Sequence, residues 1–364
     1  MKRTSDFLKL ILLSGLLILL SGCSENDPPT IPPPGTGNTP PDTTQPGDFA
    51  YEIYFSQVYS GNPSDAEANP NNADKHLVAK IDATERTLDI AAHEIDSYLI
   101  ANAIIAAHQR GVRVRIVGES NYADENAMQN IRAAGIPVVF DGRPESLMHN
   151  KFLVFDEHRI WTGSMNLTWN GANRNNNNSV WIDSPELAQN FIAEFEEMFL
   201  RHEFSSDSEP NVPYPALYMA DGTLIETYFS PDDDRTMTVL QHAVAQADSA
   251  IRFMAFSFTQ DELSRAMVAR FREGLIVEGI FDEDQAEGSS EYAYLISQGV
   301  PVIVDKNRYF MHHKTIIIDD DTVITGSYNF SYNAATRNDE NFLIIRQNRD
   351  IAAQYLAEFY RLYH

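Results

Sequence analysis

The sequence predicts an α/β protein made of two similar repeats, each a mixed β-sheet flanked by helices, and three features of its 364 residues lead there. The pattern His149-x-Lys151-x4-Asp156-x6-Gly163-Ser164-x-Asn166 returns as His312-x-Lys314-x4-Asp319-x6-Gly326-Ser327-x-Asn329, six matched positions with the second copy 163 residues after the first. Agreement of that kind marks a tandem duplication. Apolar runs of strand length alternate with amphipathic runs of helix length, in the same order in both halves, as in a sheet covered by helices. Glycines close the helical runs at matching places.

The first residues are expected to be a processing signal rather than part of the fold. Lys2 and Arg3 precede the apolar run Leu10–Leu20, too short for a comfortable membrane span, and the run ends in Leu20-Ser21-Gly22-Cys23. That ending resembles the lipobox at which bacteria cleave a signal peptide and acylate the new N-terminal cysteine. Residues 1–22 are therefore read as a lipoprotein signal peptide and Cys23, the one cysteine of the chain, as the lipidation site. Ser24, where inner-membrane lipoproteins often carry Asp, points to the outer membrane of a bacterial cell envelope. Residues 23–48, rich in Pro, Thr and Gly, have almost nothing apolar to bury and read as a disordered tether.

Repeat 1 is placed at 49–205 and repeat 2 at 206–364. Tyr54-Phe55-Ser56 recurs as Tyr228-Phe229-Ser230, an offset of 174 against 163 at the motifs, so repeat 1 carries about 11 extra residues, assigned to the Asn- and Pro-rich segment Gly61–Asn72. Buried strands follow at Thr87–Ile95 and Ala250–Phe258, then helices at Ser97–Gln109 and Gln260–Arg272, closed by Gly111 and Gly274. Next come strands Val112–Val117 and Ile276–Phe281, and helices Glu125–Ala134 and Ser290–Gln298, closed by Gly135 and Gly299. Pro137 and Pro301 bar any extension of those helices, leaving Val138–Phe140 and Val302–Val304 as short strands. Helices over Pro185–Leu200 and Arg349–Tyr363 have apolar spacing suited to packing on a sheet.

Lys151–Phe155 and Lys314–Ile318 read as apolar strands leading into hairpins. Alternation puts His149 with Lys151 on one face and His312 with Lys314 on one face, and turns His313 away. A lone histidine is more often a core residue than a catalyst. Duplication beside a lysine and a Gly-Ser-x-Asn turn reverses that prior.

These two complete motifs resemble those of the phospholipase D superfamily, the HKD phosphodiesterases, over essentially Tyr51–His364. The resemblance implies two halves packed about a pseudo-twofold axis with both motifs in one cleft, here supplied by a single chain, so that a monomer suffices. It also implies that Asp156 and Asp319, like Gly163 and Gly326, are structural. A carboxylate downstream of the Gly-Ser turn supports the catalytic imidazole in this family, and Glu340 in Asn338-Asp339-Glu340-Asn341 matches it. Repeat 1 departs from the pattern, because Asn177 in Asn175-Asn176-Asn177-Asn178 holds the equivalent place.

Phosphodiester cleavage needs a nucleophile, an acid for the leaving alkoxide and cationic support for the phosphoryl oxygens. Two histidines in line supply the first two, through a phosphohistidine, with no cofactor and no metal implied. Lys151 and Lys314 would hold the non-bridging oxygens, and Ser164, Asn166, Ser327 and Asn329 would bind the substrate by neutral hydrogen bonds. By analogy with tandem members His149 is the expected nucleophile, leaving His312, backed by Glu340, to carry the proton.

The formal charge of −25 is unfavourable for steering a polyanion. With the anchor it favours phospholipid over nucleic acid as the partner, although Ala255–Thr259 is similar to the small endonuclease branch. Endonuclease, phosphatidyl transferase and noncatalytic phospho-ligand-binding lipoprotein remain the alternatives, since the motif handles only the shared phosphodiester. Asp232-Asp233-Asp234 reads as a solvated helix start rather than a cation site. Tyr309-Phe310-Met311 reads as either an apolar lip or core, and His93 and Glu94 as buried hydrogen bonders at the cleft.

Overall fold

The computed structural model describes residues 49–205, 211–231, 233 and 235–364. The expected signal peptide, Cys23 and the tether lie outside the described residues, as do Asp232 and Asp234. None of the described helices is long and apolar enough to cross a membrane.

Alternating apolar runs form the expected strands. In the first half these are β1 (Ala50–Phe55), β2 (Thr87–Ala92), β3 (Arg113–Gly118), β4 (Val138–Phe140), β5 (Lys151–Phe155), β6 (Arg159–Gly163) and β7 (Asn178–Asp183). In the second they are β8 (Ala216–Tyr218), β9 (Leu224–Ser230), β10 (Ala250–Ala255), β11 (Ile276–Phe281), β12 (Val302–Val304), β13 (Lys314–Ile318), β14 (Thr322–Gly326) and β15 (Glu340–Arg346). The first sheet runs β1-β7-β6-β5-β2-β3-β4, and the second, read in the same sense, runs β8-β9-β15-β14-β13-β10-β11-β12. Apart from β8 the two are the same sheet. In each, two parallel pairings join the β2/β10 region to its edge, and the rest is antiparallel.

Strand alternation sends side chains into different cores. Along β5, Phe152 and Val154 enter a central core, while Leu153 and Phe155 enter one private to the first half. That central core also holds Met254, Ile317 and Leu343 of the second sheet, with Phe191 and Phe195 from helix Pro185–Glu196 and Tyr355 and Phe359 from helix Arg349–Tyr363. The two helices are thus layered between the sheets, and a third core belongs to the second half. Every large side chain named here is buried, each contributing about 1.5–3 kcal/mol by transfer from water.

Some boundaries differ from expectation. β2 and β10 stop at Ala92 and Ala255, three residues early, although His93 N and Phe256 N still donate to Asn150 O and His313 O. The Gly61–Asn72 segment contains a helix, Pro63–Ala68, whose start is set by Asn62 accepting from Ser64 N and by Pro63 in the first turn. Asp233 is buried and paired with Arg235, not solvated. Helix Pro185–Glu196 passes into a π-helical turn, Glu197–Arg201.

The motif's aspartates and glycines shape the hairpins. Asp156 and Glu157, with φ of 53° and 63°, repeat as Asp319 and Asp320 with 53° and 57°, the left-handed pair that matches the twist of hairpin strands. Asp156 then caps the chain entering β2, accepting from the backbone N–H groups of Glu85, Arg86 and Thr87, and Asp319 does the same for Asp248, Ser249 and Ala250. A Cβ at Gly163 would lie 2.3 Å from the Asn178 carbonyl oxygen, and one at Gly326 2.2 Å from that of Asn341, so only glycine lets β7 and β15 pass so close.

Burial opposes ionisation of Asp156, but the three backbone donors outweigh it and hold the carboxyl below its ordinary value. A depressed folded value contributes stability above the unfolded value of about 4 that disappears as pH falls through the folded one. Asp156→Ala, which strands three donors, should lower unfolding free energy by about 2–3 kcal/mol in urea titrations at pH 7. Its deficit should shrink as the titration is repeated below about pH 4; an equal loss at pH 7 and pH 3 would remove the charge-dependent cap.

Candidate active site

Each histidine is fixed by the opposite repeat. His149 N donates to Asp339 O at 2.9 Å, and His312 N donates to Asn176 O at 2.9 Å. Return bonds run from Asp339 N to Leu147 O and from Asn176 N to Phe310 O, giving two equivalent bridges across the pseudo-twofold. The side chains cross in the same way. His149 Nδ1 meets Glu340 Oε2 at 2.7 Å, and His312 Nδ1 meets Asn177 Oδ1 at 3.0 Å and Ser164 O at 3.1 Å.

This corrects the sequence-based assignment: Glu340 backs His149, not His312. Glu340 and His312 belong to one repeat, but the strand that begins at Glu340 faces the other half's histidine. The two serines are also reassigned. Ser164 Oγ donates to Asn177 Oδ1 at 2.8 Å and Ser327 Oγ donates to Glu340 Oε2 at 2.7 Å, so both hydroxyls steady the group that orients an imidazole instead of reaching a substrate. Asn166 and Asn329 keep buried side-chain oxygens without a hydrogen-bond partner among the described residues.

Tautomers follow from these partners. Asn177 Nδ2 donates to Gly171 O, which turns its oxygen toward His312, and with Ser164 O that makes two acceptors at Nδ1. The ring hydrogen of His312 therefore sits on Nδ1, leaving the Nε2 lone pair unshared. Glu340 in its ionised form does the same at His149 Nδ1.

Lys151 and Lys314 open β5 and β13 and are buried, each donating to the carbonyl of the histidine two residues before it, at 2.8 and 2.7 Å. The walls are aromatic: His93 packs edge-on to His149 and the equivalent Phe256 packs edge-on to His312, both with centroids 4.6 Å apart, while Lys314 Nζ lies 4.7 Å over the Phe256 ring. His93 fulfils both expected roles, since its Nδ1 also meets Met148 O. Phe256 carried no signal of its own beyond its register with His93. Of Tyr309-Phe310-Met311, Met311 is core and Phe310 is exposed against Phe256, so the lip is one residue wide there; Tyr309 stacks under Arg174.

Burial, then the charges of Lys151 and Lys314, hold His149 well below the ordinary imidazole range. His312 is lowered by burial, by both lysines and by His149, so groups of both repeats act on one another within one site. Burial pushes Lys151 down to about 7 against the pull of Glu340 and Glu94, and Lys314 is driven well below its usual value by burial and by Lys151. Glu340 is pushed up to about 8 by burial, opposed by Lys151 and by the Ser327 hydroxyl. Glu94, beside Asp96 and Glu125, is raised to about 7, chiefly by burial. Two desolvated ammonium groups with spare donors favour an anion between them. Among the described residues no three His, Cys, Asp or Glu side chains are grouped as a metal site would require.

A sequence profile described as "Cardiolipin synthase, PLD-like domain" matches residues 77–199 and again 240–363, one match per repeat and more than half of the chain together. The chain belongs to the phospholipase D-like family. Among phospholipase D-like relatives, a protein named phospholipase D from Rickettsia prowazekii is 30% identical over 140 residues, which are 38% of this chain and 68% of that one. The human protein named mitochondrial cardiolipin hydrolase is 34% identical over 125 residues, 34% of this chain and 49% of that one. The matches thus span about half to two thirds of those relatives. The solved structure of phosphatidylserine synthase from Haemophilus influenzae Rd KW20 superposes with a TM-score of 0.63 over 85% of each chain at 13% identity, a likeness of fold across the whole phospholipase D-like tandem.

Inorganic phosphate should raise the melting temperature of the wild type in a concentration-dependent way, reflecting about 2.7 kcal/mol of added unfolding free energy at 100 times Kd. Lys314→Met should melt no lower than the wild type without phosphate and lose the phosphate response. With sulfate, whose charge is fixed in this range, the wild-type response should weaken as pH rises through about 7, where Lys151 gives up its charge; a sulfate response that grows with pH would contradict anion binding by these lysines.

Proposed function

We propose that the protein is a phosphodiesterase that hydrolyses a phospholipid head group through a phosphohistidine on His149. One observation carries the reading: two imidazoles, one from each repeat, are held with Nε2 unshared beside two buried lysines.

Binding of the phosphodiester anion lets His312 Nε2 take up a proton from solvent; His149 Nε2 then attacks phosphorus while the P–O bond to the leaving alcohol breaks, and that oxygen takes this proton from His312. The ring of His149 becomes cationic as the P–N bond forms, and the Glu340 carboxylate at its Nδ1 offsets that charge. An amide suffices at His312, whose proton is only in transit. The bound phosphodiester anion raises His312 from its low resting value by supplying the nearby negative charge that Asn177 lacks. Water then attacks phosphorus, His312 Nε2 takes its proton, the P–N bond breaks, and both rings return to their starting state. Lys151 and Lys314 hold the non-bridging oxygens throughout.

Phospholipid is favoured over nucleic acid by the charge of −25. The names of the relatives, phospholipase D and cardiolipin hydrolase, point the same way. So does the lipobox-like Cys23 segment, which would tether the enzyme to the outer membrane of a bacterial envelope.

The test is a parallel assay of residues 48–364 on phosphatidylcholine, cardiolipin, single-stranded DNA and bis(p-nitrophenyl) phosphate. Lipid turnover should dominate, and His149→Ala and His312→Ala should each lose about 1,000-fold or more in kcat. Preferred cleavage of DNA would replace the lipid reading by a nuclease. Acid-quenched turnover of labelled diester should leave the phosphoryl group on His149, and label on His312 alone would exchange the two roles. Asn177→Glu, which places a carboxylate at His312, should move the alkaline limb of the kcat profile to higher pH, because the proton donor then keeps its proton longer.

A further inference from the structure

The repeats differ at a second place, on the face of the strands behind the site. Asn178 and Asn341 are equivalent residues, each following the group that orients a histidine. Asn178 is fully engaged: its oxygen accepts from Thr325 Oγ1 at 2.6 Å and from Tyr355 OH at 3.1 Å, and its amide meets His313 Nδ1 at 2.9 Å. His313 Nε2 in turn faces Glu358 at 3.3 Å, and Arg361 donates twice to that carboxylate. All of Asn178's partners here belong to the second repeat. Asn341 has one bond of this kind, from its amide to Thr162 Oγ1 at 2.6 Å, and its buried oxygen has no partner among the described residues.

The difference follows from two residues. Where the second repeat has His313 beside its catalytic histidine, the first has Asn150, and where the second has Tyr355 facing the sheet, the corresponding helix position of the first is Phe191. The dense network therefore backs Asn177, the amide, and the sparse one backs Glu340, the ionisable carboxyl that turns fully anionic when the ring it orients gains positive charge. A carboxylate holds an imidazole N–H by a charge-assisted bond about twice as strong as that of an amide. An amide needs its carbonyl fixed from outside, because a small rotation or a flip would present a donor to a donor.

We infer that Asn178, His313 and Tyr355 are positioning residues for His312: they clamp the start of β7 to the second repeat so that the Asn177 carbonyl stays on His312 Nδ1. The clamp does for this ring what Glu340 does alone for the other. The inference rests on His312 as the proton carrier of the proposed reaction.

His313→Asn and Tyr355→Phe install residues that the first repeat itself carries at those places. With bis(p-nitrophenyl) phosphate, each should lower kcat by about tenfold, with KM unchanged. In an Asn177→Glu background, where a carboxylate orients His312 unaided, the same substitutions should change kcat by less than about twofold. Nitrogen-15 spectra of the histidine rings read the geometry without turnover: the wild type should show His312 as a single Nδ1–H tautomer, His313→Asn should show a mixture, and Asn177→Glu with His313→Asn should restore one form. Equal losses of kcat in both backgrounds, or an unchanged His312 tautomer in His313→Asn, would reduce the network to a stability element and overturn the inference. A wild type that turns over no phosphodiester but shows the tautomer pattern would sink the proposed reaction and leave the clamp standing.

Discussion

The arrangement depends on hydrogen bonds that cross between the repeats. Glu340 reaches His149, Asn177 reaches His312, and the backbones on either side exchange bonds in the same crossed sense. The four side chains are buried, so a repeat by itself would leave an unoriented imidazole and stranded donors and acceptors, each costing about 1–3 kcal/mol. The apolar core between the sheets holds the crossed pairs in register, since Phe152, Ile317 and the two central helices pack in it and join the half that carries His149 to the half that carries Glu340. The duplicated sequence therefore builds one site rather than two.

That site is held under electrostatic strain. Two buried lysines and a glutamate pushed toward its neutral form occupy a region from which water is largely excluded. Such a grouping lowers the stability of the empty protein and prepares it for an anion, since the cost of desolvating the charges is met in folding and not at the moment of binding. The surrounding fold tolerates this because the caps at Asp156 and Asp319 and the glycine contacts at β7 and β15 are repeated in both halves.

Much was legible in the sequence because it is written in local signals. Periodicity, helix-ending glycines and the prolines after them place β4, β5, β11, β12 and β13 at their observed limits, and the same spacing separates His312 from His313. The misreadings share a cause. β2 and β10 look longer than they are because His93 and Phe256, whose rings line the cleft, and the buried residues beyond them carry on the strand-like run. Asp233 looks solvated because its partner, Arg235, is visible only once the turn folds. Ser164 and Ser327 look like ligand binders because hydroxyls beside a catalytic motif carry no mark of which neighbour they will meet.

The sequence by itself determined the duplication, the order of strands and helices, and the set of side chains available for phosphodiester chemistry, because spacing and alternation are properties of a chain a few residues at a time. Only the tertiary structure decided which carboxylate serves which histidine, that the serines support orienting groups, and that the two rings are held by unequal means. The two histidine pairings join residues 135 and 191 positions apart, and the serine bonds, though only 13 positions long, support groups whose roles those pairings set, so the geometry rests on how two sheets close on a shared core. No local pattern carries that information.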